Sequence, residues 1–395
     1  MISPQQYLVD ALGERLGQPP SGAEPSDWAA LLELARRNRV AALVQPVLSG
    51  RPGVPLSTQH EFLLQAQRSF VETTLSAQVL GQVAPALAGI RWLVLRGPAL
   101  GVRLYRDLML RPHGDLDVLV DPVDADRALA ALQAAGFRPP PDALPQRYYR
   151  RYHLHVELIQ PGSTAARLEL HWALDHPFSQ LTPDVDGLLA RSQRQDIAGF
   201  EVAVPDPDDL LLTLAVHLAK HALVLPLWLE SGRAAQVVDE GLLLSVFDVA
   251  LALQQERSRL NWETLEQRAE AWSAGGMLRS GLDAVEALWP AAGLTGERGR
   301  FRLQTIGRGQ RWLYEIAGAR APGAFKLRRA VFFRPIRLLD GLTYVSPPAG
   351  YLKSRYGHSG IGVRVRHALQ ALAQLGAGGA ALGCYVLARR LRGRR

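Results

Sequence analysis

The stretch RPHGDLDVLV, residues 111–120, places two carboxylates one residue apart, immediately before an apolar run. Residues 116–120 are typical of a short buried strand, which ends before Pro122. Because side chains alternate along a strand, Asp115 and Asp117 should lie on one face and point at one spot. Two carboxylates so close repel each other unless a cation lies between them, and oxygen donors favour a hard divalent ion such as Mg²⁺.

Strands and helices alternate on both sides of this stretch. The order of the patterns predicts a small α+β domain with a mixed sheet. The predicted elements are a strand at residues 90–95 that ends before Gly97 and Pro98, a helix at 99–108, the strand at 116–120, a helix at 124–136 closed by Gly136, and a hairpin of two strands at 152–160 and 166–174.

Helical periodicity flanks this domain. On the N-terminal side, one helix is predicted over residues 26–48 with Ser26 as its N-cap, and a second over residues 61–87. Helices are also predicted after residue 205, and beyond residue 290 the patterns weaken. We therefore expect four parts: a helical lead-in at 1–85, the α+β core at 86–205, a helical domain at 206–290 and a basic C-terminal region at 291–395.

The predicted hairpin carries a polar face with the same period as the Asp pair. His153, His155 and Glu157 share one face of its first strand, and Arg167, Glu169 and His171 share one face of its second. Placed next to the Asp pair, this face would complete a site for two-metal phosphoryl or nucleotidyl transfer, in which the ions lie roughly 3.5–4 Å apart. A lone Asp-x-Asp is more often a turn or an N-cap. The prediction therefore depends on the Asp pair together with the strand that ends at Gly97, the helix after it, Arg111 and the strand that carries Glu169.

The motifs resemble a known family. RGPALGVRLYRDLMLRPHGDLDVLV, residues 96–120, is followed about 50 residues later by LELHW, residues 168–172. This pair of motifs is similar to the uncharacterised bacterial nucleotidyltransferase family of the DNA polymerase beta superfamily. The likeness extends more faintly over residues 26–255.

The resemblance implies a nucleotidyltransferase-type mixed sheet and a Mg²⁺-dependent reaction. Such an enzyme would transfer a nucleoside monophosphate from an NTP to an acceptor, which the resemblance does not identify. Two Mg²⁺ ions are implied, with Mn²⁺ as the alternative. Asp115 and Asp117 would hold both ions, and Glu169 would bind the ion that activates the acceptor hydroxyl.

The resemblance also assigns phosphate contacts. Gly97 would let the triphosphate approach backbone amides, and Arg96 or Arg111 would pair with phosphate oxygens. The sequence departs from the superfamily at Pro98, where Ser or Gly usually donates to the γ-phosphate, because proline has neither a hydroxyl nor an N–H. Either the arginines compensate, or the chain binds nucleotide weakly, or catalysis is lost.

Several basic side chains are candidates for a substrate pocket. His217 and His221 are four residues apart on one predicted helical face, with Lys220 beside them. The HxxxH spacing lacks the glutamate of a zinc protease, so we expect pocket lining or packing rather than metal binding. His155 and His171 are expected in the same pocket. His113, beside Asp115, is a candidate substrate ligand, but we expect a loop histidine to be merely solvated.

Charge is distributed unevenly along the chain. Residues 291–395 hold 20 of the 45 Lys and Arg and 3 of the 37 Asp and Glu, a net charge of +17, so residues 1–290 carry −9. Such a basic region is typical of contact with nucleic acid or an anionic membrane surface, and a solvated Arg-rich face is the alternative. Residues 371–388 are long enough for a short span but only weakly hydrophobic, which favours a packing helix over a span.

Composition predicts a globular protein with a sizeable core, since 48% of residues are hydrophobic and 21% charged. The single cysteine, Cys384, and the lack of an N-terminal apolar segment predict a cytoplasmic location. A peripheral location at the membrane is the alternative. Two alternatives to a nucleotidyltransferase remain open: a non-catalytic nucleotide- or partner-binding protein on the same fold, motivated by Pro98, and a metal-dependent glycosyltransferase.

Overall fold

A computed structural model describes residues 1–301 with short gaps, and part of the region beyond. The gaps are at 142, 144–145, 147–148, 151–152, 161–166, 176–180 and 223–224, and the described residues beyond 301 are 349, 352 and 356–370. The apolar run at 371–388 lies outside the described residues. Among those described, no helix has both the length and the apolar character that crossing a membrane requires.

The chain forms two compact units, each assembled from separate stretches of sequence. The first comprises Met1–Arg138, Glu157–Leu174 and Pro183–Gln304, and the second comprises Pro139–Val156, Asp175–Thr182 and Thr305–Arg395. The predicted division of the chain at residues 85, 205 and 290 stays a prediction.

A four-stranded mixed sheet contains the Asp-x-Asp stretch. Its strands are β1 (Trp92–Val94), β2 (Asp115–Val120), β3 (His155–Ile159) and β4 (Arg167–His171), in the order β1-β2-β4-β3. β1 is antiparallel to β2, and β2 is parallel to β4. The predicted α+β class with a small mixed sheet is therefore confirmed.

The apolar positions of the central strands form the core beneath the sheet. Leu116, Val118, Leu168 and Leu170 are fully buried. They alternate with the polar positions of β2 and β4, and burying such side chains contributes roughly 1.5–3 kcal/mol each. This alternation leaves the other face of the two strands for the carboxylates.

Helices surround the sheet on the N-terminal side. They are α1 (Pro4–Arg15), α2 (Trp28–Arg37), α3 (Ala41–Leu48), α4 (Leu56–Ala86), α5 (Pro98–Arg103) and α6 (Ala125–Ala134). The predicted single helix over residues 26–48 is wrong, because α2 and α3 are separate helices. Asp27, not Ser26, is the N-cap of α2, and it accepts hydrogen bonds from the N–H groups of Ala29 and Ala30.

Tertiary contacts explain the break between α2 and α3. Asn38 is fully buried, and its Nδ2 donates to the carbonyls of Leu34 and Val238 at 2.9 and 2.7 Å. Its Oδ1 accepts from the N–H of Leu243 at 2.9 Å. Two of these bonds satisfy backbone groups of Val238 and Leu243 at the ends of other helices, and together the three bonds hold Asn38 as the C-cap of α2. No local sequence signal reveals partners about 200 residues away.

After the four-stranded sheet, the first unit continues with a short helix, a second sheet of two strands and a series of helices. These elements are α7 (Val185–Ala190), β5 (Gln193–Ile197), β6 (Phe200–Val204), α8 (Pro207–His221), α9 (Leu225–Glu230), α10 (Gln236–Asp239), α11 (Leu243–Gln255), α12 (Trp262–Ala271) and α13 (Gly275–Leu288). The β5–β6 hairpin was not predicted. Its two-residue turn, Ala198 and Gly199, lacks the asparagine or aspartate that usually marks such a loop.

The β5–β6 turn offers a stabilising substitution. Ala198 and Gly199 both have positive φ, 54° and 86°, as a type I′ turn requires. Because alanine in this region costs roughly 1 kcal/mol and asparagine tolerates it better, Ala198→Asn should raise the free energy of unfolding by about 0.5–1 kcal/mol. Urea denaturation would measure the gain. Gly199→Ala should shift the midpoint the opposite way, and equal midpoints for both variants would contradict the turn assignment.

Candidate active site

The register between β2 and β4 brings the predicted carboxylates together. Asp117 is the direct cross-strand partner of Glu169, and Asp115 precedes it by two residues on the same strand. Paired residues of neighbouring strands share a face, and so do residues two apart. Asp117 is buried, while Asp115 and Glu169 are half-buried. The three carboxylates thus share one face of two parallel strands.

Hydrogen bonds tie the buried carboxylate of Asp117 to two basic side chains. Arg96, which follows β1, donates from Nε to Oδ2 at 3.1 Å and from Nη2 to Oδ1 at 2.8 Å. His171 Nε2 lies 3.0 Å from Asp117 Oδ1 and 3.1 Å from Glu169 Oε2. The imidazole therefore bridges the Asp and Glu carboxylates across the strand pair.

The pKa values of these groups separate under the local charges. Burial, with the charges of Asp117 and Glu169, raises the pKa of Asp115 to about 6. Burial alone would also raise the pKa of Asp117, but the Arg96 charge and the His171 hydrogen bond hold it well below its usual value. Burial opposes charging of His171, yet its bonds to Asp117 and Glu169 raise its pKa. At Asp115, the positive charges of Arg96 and Arg39 therefore do not fully offset the burial of this carboxylate and the negative charges of Asp117 and Glu169.

This donor set fits a hard divalent cation. Carboxylate oxygens are the ligands that Mg²⁺ and Mn²⁺ prefer, and the raised pKa of Asp115 indicates a place where added positive charge is favourable. Glu169 and His171 are also the β4 members of a His/Glu/His group whose donor atoms all lie within 4.8 Å of one another, which could hold a metal ion. The described residues therefore provide ligands for a metal at this face.

Gly97 lies where only glycine fits. Its φ of 64° and ψ of −121° form the turn between β1 and α5, with Pro98 as the first residue of that helix. A Cβ here would lie 3.2 Å from the backbone oxygen of Asp115 and 3.4 Å from Cδ2 of His113. The turn thus packs directly against the start of β2. The predicted contact of Gly97 with a triphosphate stays a prediction.

We expect Gly97→Ala to destabilise the protein by about 1–3 kcal/mol, because it combines a disfavoured φ with a tight contact. Thermal or urea unfolding would measure the loss. Gly114→Ala is the matched control: Gly114 also lies beside the carboxylates, but a Cβ there meets nothing within 4 Å. Equal stability of the two variants would show that the turn relaxes without cost.

Arg111 has a buried partner that the sequence did not reveal. Its Nε and Nη2 donate to Oδ1 and Oδ2 of Asp248 on α11 at 2.9 and 2.8 Å, and the Tyr105 hydroxyl donates to Oδ1 at 2.7 Å. Burial disfavours the charge of Arg111, but Asp248 raises its pKa overall, and burial raises the pKa of Tyr105. In this structure the guanidinium is bound by Asp248, and phosphate binding by Arg111 stays a prediction.

The C-terminal end of α8 lies near Arg96 and Asp117. The rings of His217 and His221 meet edge to face with centroids 4.7 Å apart, and Lys220 Nζ donates to the Leu174 carbonyl at 3.0 Å. Burial, followed by the charge of Arg96, holds the pKa of His217 well below its usual value. The pKa of His221 is also lowered, first by burial. Both imidazoles are therefore neutral at pH 7.

The pocket roles of these side chains stay predictions. His217 is close enough to Asp117 to influence its pKa, which agrees with a position at the carboxylate face. His171 is bound to Asp117 and Glu169. His155 is the half-buried first residue of β3.

Two neighbours of the site were misjudged or missed from sequence. His113 is not a solvated loop histidine, because it is 1% exposed, its Nδ1 lies 3.1 Å from the Arg111 carbonyl, and burial lowers its pKa to about 4. Arg39, between α2 and α3, donates from Nη2 to the Pro112 carbonyl at 3.2 Å. Its charge lowers the pKa of Asp115, so it contributes to the field at the carboxylates.

The mixed sheet, the carboxylates on its parallel strands and the glycine turn define an α+β protein of the nucleotidyltransferase class. The chain belongs to the uncharacterised nucleotidyltransferase family, whose sequence model matches residues 24–290. Neither the curated proteins nor the solved structures contain a match to this chain. Family membership indicates nucleotidyl transfer and a nucleotide substrate in general terms.

Proposed function

We propose that this protein is a Mg²⁺-dependent nucleotidyltransferase that moves a nucleoside monophosphate from an NTP to a hydroxyl acceptor. The observation that carries the proposal is the register of β2 and β4, which pairs Asp117 with Glu169 and places Asp115 on the same face. In a chain of this family, three carboxylates on neighbouring parallel strands are the arrangement that the reaction needs.

Asp115, Asp117 and Glu169 would hold the metal. When bound, Mg²⁺ would lower the pKa of the acceptor hydroxyl and offset charge on the pyrophosphate that leaves. In the reaction the acceptor oxygen bonds to the α-phosphorus, the bond from that phosphorus to the bridging oxygen breaks, and pyrophosphate departs. Glu169, whose side chain is 22% exposed against 6% for Asp117, is the better placed to receive the acceptor's proton.

Arg96 has a second role in this proposal. Its bidentate pair with Asp117 neutralises the buried carboxylate. A triphosphate offers the same planar guanidinium a pair of oxygens of like geometry, so Arg96 can exchange Asp117 for phosphate once a cation replaces its charge beside the carboxylate. His171 keeps Asp117 and Glu169 oriented in both states.

The first test is pyrophosphate release from each of the four NTPs with Mg²⁺ and cell extract as the acceptor pool. The comparison is an Asp115→Asn/Glu169→Gln variant, which removes two carboxylates and retains the buried Arg96–Asp117 pair. Asp186→Asn, an exposed carboxylate paired with Arg91, is the matched control. We expect release by the wild type and the control with a preferred NTP, and none by the double variant.

A silent wild type would favour the non-catalytic alternative. If the protein is folded and binds Mg·NTP but releases no pyrophosphate with any NTP, it is a nucleotide-binding or partner-binding protein, and Pro98 becomes the residue to explain. If the double variant releases pyrophosphate as fast as the wild type, the carboxylate site is not catalytic.

A further inference from the structure

A short helix in the second unit carries an exposed apolar stripe. Residues 361–370 are helical. Val363 and His367 face inward and are 8% and 5% exposed. Ile361, Val365 and Leu369, spaced four residues apart, are 82%, 53% and 63% exposed. Large aliphatic side chains exposed in a row at helical spacing form a continuous surface, which differs from single apolar residues scattered over a protein.

Arginines lie along both edges of this stripe. With about 100° of rotation per residue, Ile361, Val365 and Leu369 cover an arc of about 80°, and Arg364 and Arg366 each follow about 60° beyond one edge. Both arginines are exposed. Arg364 Nε donates to the Ser359 carbonyl at 3.3 Å. The helix thus presents an apolar strip between two cationic borders.

Contacts on the inner face fix the rotation of the helix. The Tyr356 hydroxyl lies 3.0 Å from His367 Nδ1 and donates to Gln370 Oε1 at 3.0 Å. The rings of Tyr356 and His367 meet edge to face with centroids 5.8 Å apart. These contacts hold His367 inward, and the stripe on the opposite side therefore points away from them.

We propose that this stripe docks on an anionic membrane surface. Ile361, Val365 and Leu369 would enter the boundary between headgroups and acyl chains, while Arg364 and Arg366 extend sideways to lipid phosphates. The net charge of +17 over residues 291–395 supplies the long-range attraction to anionic lipid. Nucleic acid would match the arginines but would leave three apolar side chains in water, so the stripe favours lipid.

Vesicle co-sedimentation tests the proposal with the full chain. The probes are vesicles of phosphatidylcholine alone and of phosphatidylcholine with an equal part of phosphatidylglycerol. We expect binding to the anionic vesicles only. Ile361→Ser/Val365→Ser/Leu369→Ser should weaken that binding about tenfold or more, because each serine removes apolar area from the contact. Arg364→Gln/Arg366→Gln should weaken it about fivefold per arginine and flatten its salt dependence.

The matched control changes exposed apolar residues on another helix. Leu56 and Leu63 on α4 are 83% and 41% exposed, so Leu56→Ser/Leu63→Ser alters surface hydrophobicity without touching the stripe. Its vesicle binding should equal that of the wild type. Circular dichroism and urea unfolding would show that all variants are folded.

Three outcomes would overturn the proposal. One is full vesicle binding by the triple serine variant. A second is a dimer in solution that the triple variant converts to a monomer, which would make a second copy the occupant of the stripe. The third is that a single-stranded oligonucleotide, but not the anionic vesicle, binds the wild type with an affinity that the arginine variant loses.

Discussion

The Asp117→Asn variant should lose turnover by on the order of 10³-fold while remaining folded. The carboxylate of Asp117 is the most buried of the three, and Arg96 and His171 hold its pKa well below its usual value, so it is charged at neutral pH. Losing one carboxylate ligand removes several kcal/mol of charge stabilisation from the transition state, which appears in kcat. Steady-state pyrophosphate release at saturating NTP would measure it.

The fold should survive because two effects of this substitution oppose each other. Arg96 loses its charged partner, which costs stability, and the repulsion among Asp117, Asp115 and Glu169 is relieved. Asparagine keeps an oxygen that accepts from Arg96, so we expect a net loss below about 2 kcal/mol. The relief should also lower the pKa of Asp115, which nuclear magnetic resonance of its carboxyl carbon can follow.

Asp121→Asn is the matched control for Asp117→Asn. Asp121 directly follows β2, is 8% exposed and pairs with Arg91 at 2.6 Å, but it is four residues beyond Asp117 along the chain. Its loss should cost little stability and leave turnover unchanged. If Asp117→Asn unfolded the protein, the Asp pair would be a structural feature. If it left kcat unchanged, the metal assignment would be wrong.

The local patterns of the sequence were sufficient for the strands and helices around the site. The apolar run at residues 116–120 and the alternation at residues 167–171, with the breaks at Gly97, Pro122 and Gly136, predicted strands and helices that the structure contains. Alternation also placed Asp115 and Asp117 on one face. These features depend on neighbouring residues alone, which is why one sequence reveals them.

Pairings between distant residues could not be predicted in this way. The register that sets Asp117 opposite Glu169 depends on how β2 and β4 meet across 52 residues, and alternation shows only the face. Asn38 ends α2 through bonds to Val238 and Leu243. The sequence predicts phosphate binding by Arg111 but does not reveal its partner Asp248, which is 137 residues away. In each case the deciding partner is a polar group on another element.

The pairing of Arg111 with Asp248 leads to the largest expected effect on stability. Arg111 is 7% exposed and Asp248 is 2% exposed, so Asp248→Ala leaves a buried guanidinium without its counter-charge. We expect a loss of about 3–5 kcal/mol in the free energy of unfolding, a large part of the 5–15 kcal/mol typical of a folded domain. Urea unfolding would measure it. Glu297→Gln, which breaks an exposed pair with Arg300, should cost less than about 1 kcal/mol.

A triple variant separates charge from packing in this cluster and tests Arg111 for a second role. Arg111→Met/Asp248→Leu/Tyr105→Phe removes both charges and the hydroxyl that donates to Asp248, so no buried polar group is stranded. Its stability should return to within about 2 kcal/mol of the wild type. A loss as large as that of Asp248→Ala would show that packing dominates. If the triple variant is stable but loses turnover, Arg111 also contacts phosphate; if turnover persists, Arg111 acts only by joining the loop before β2 to α11.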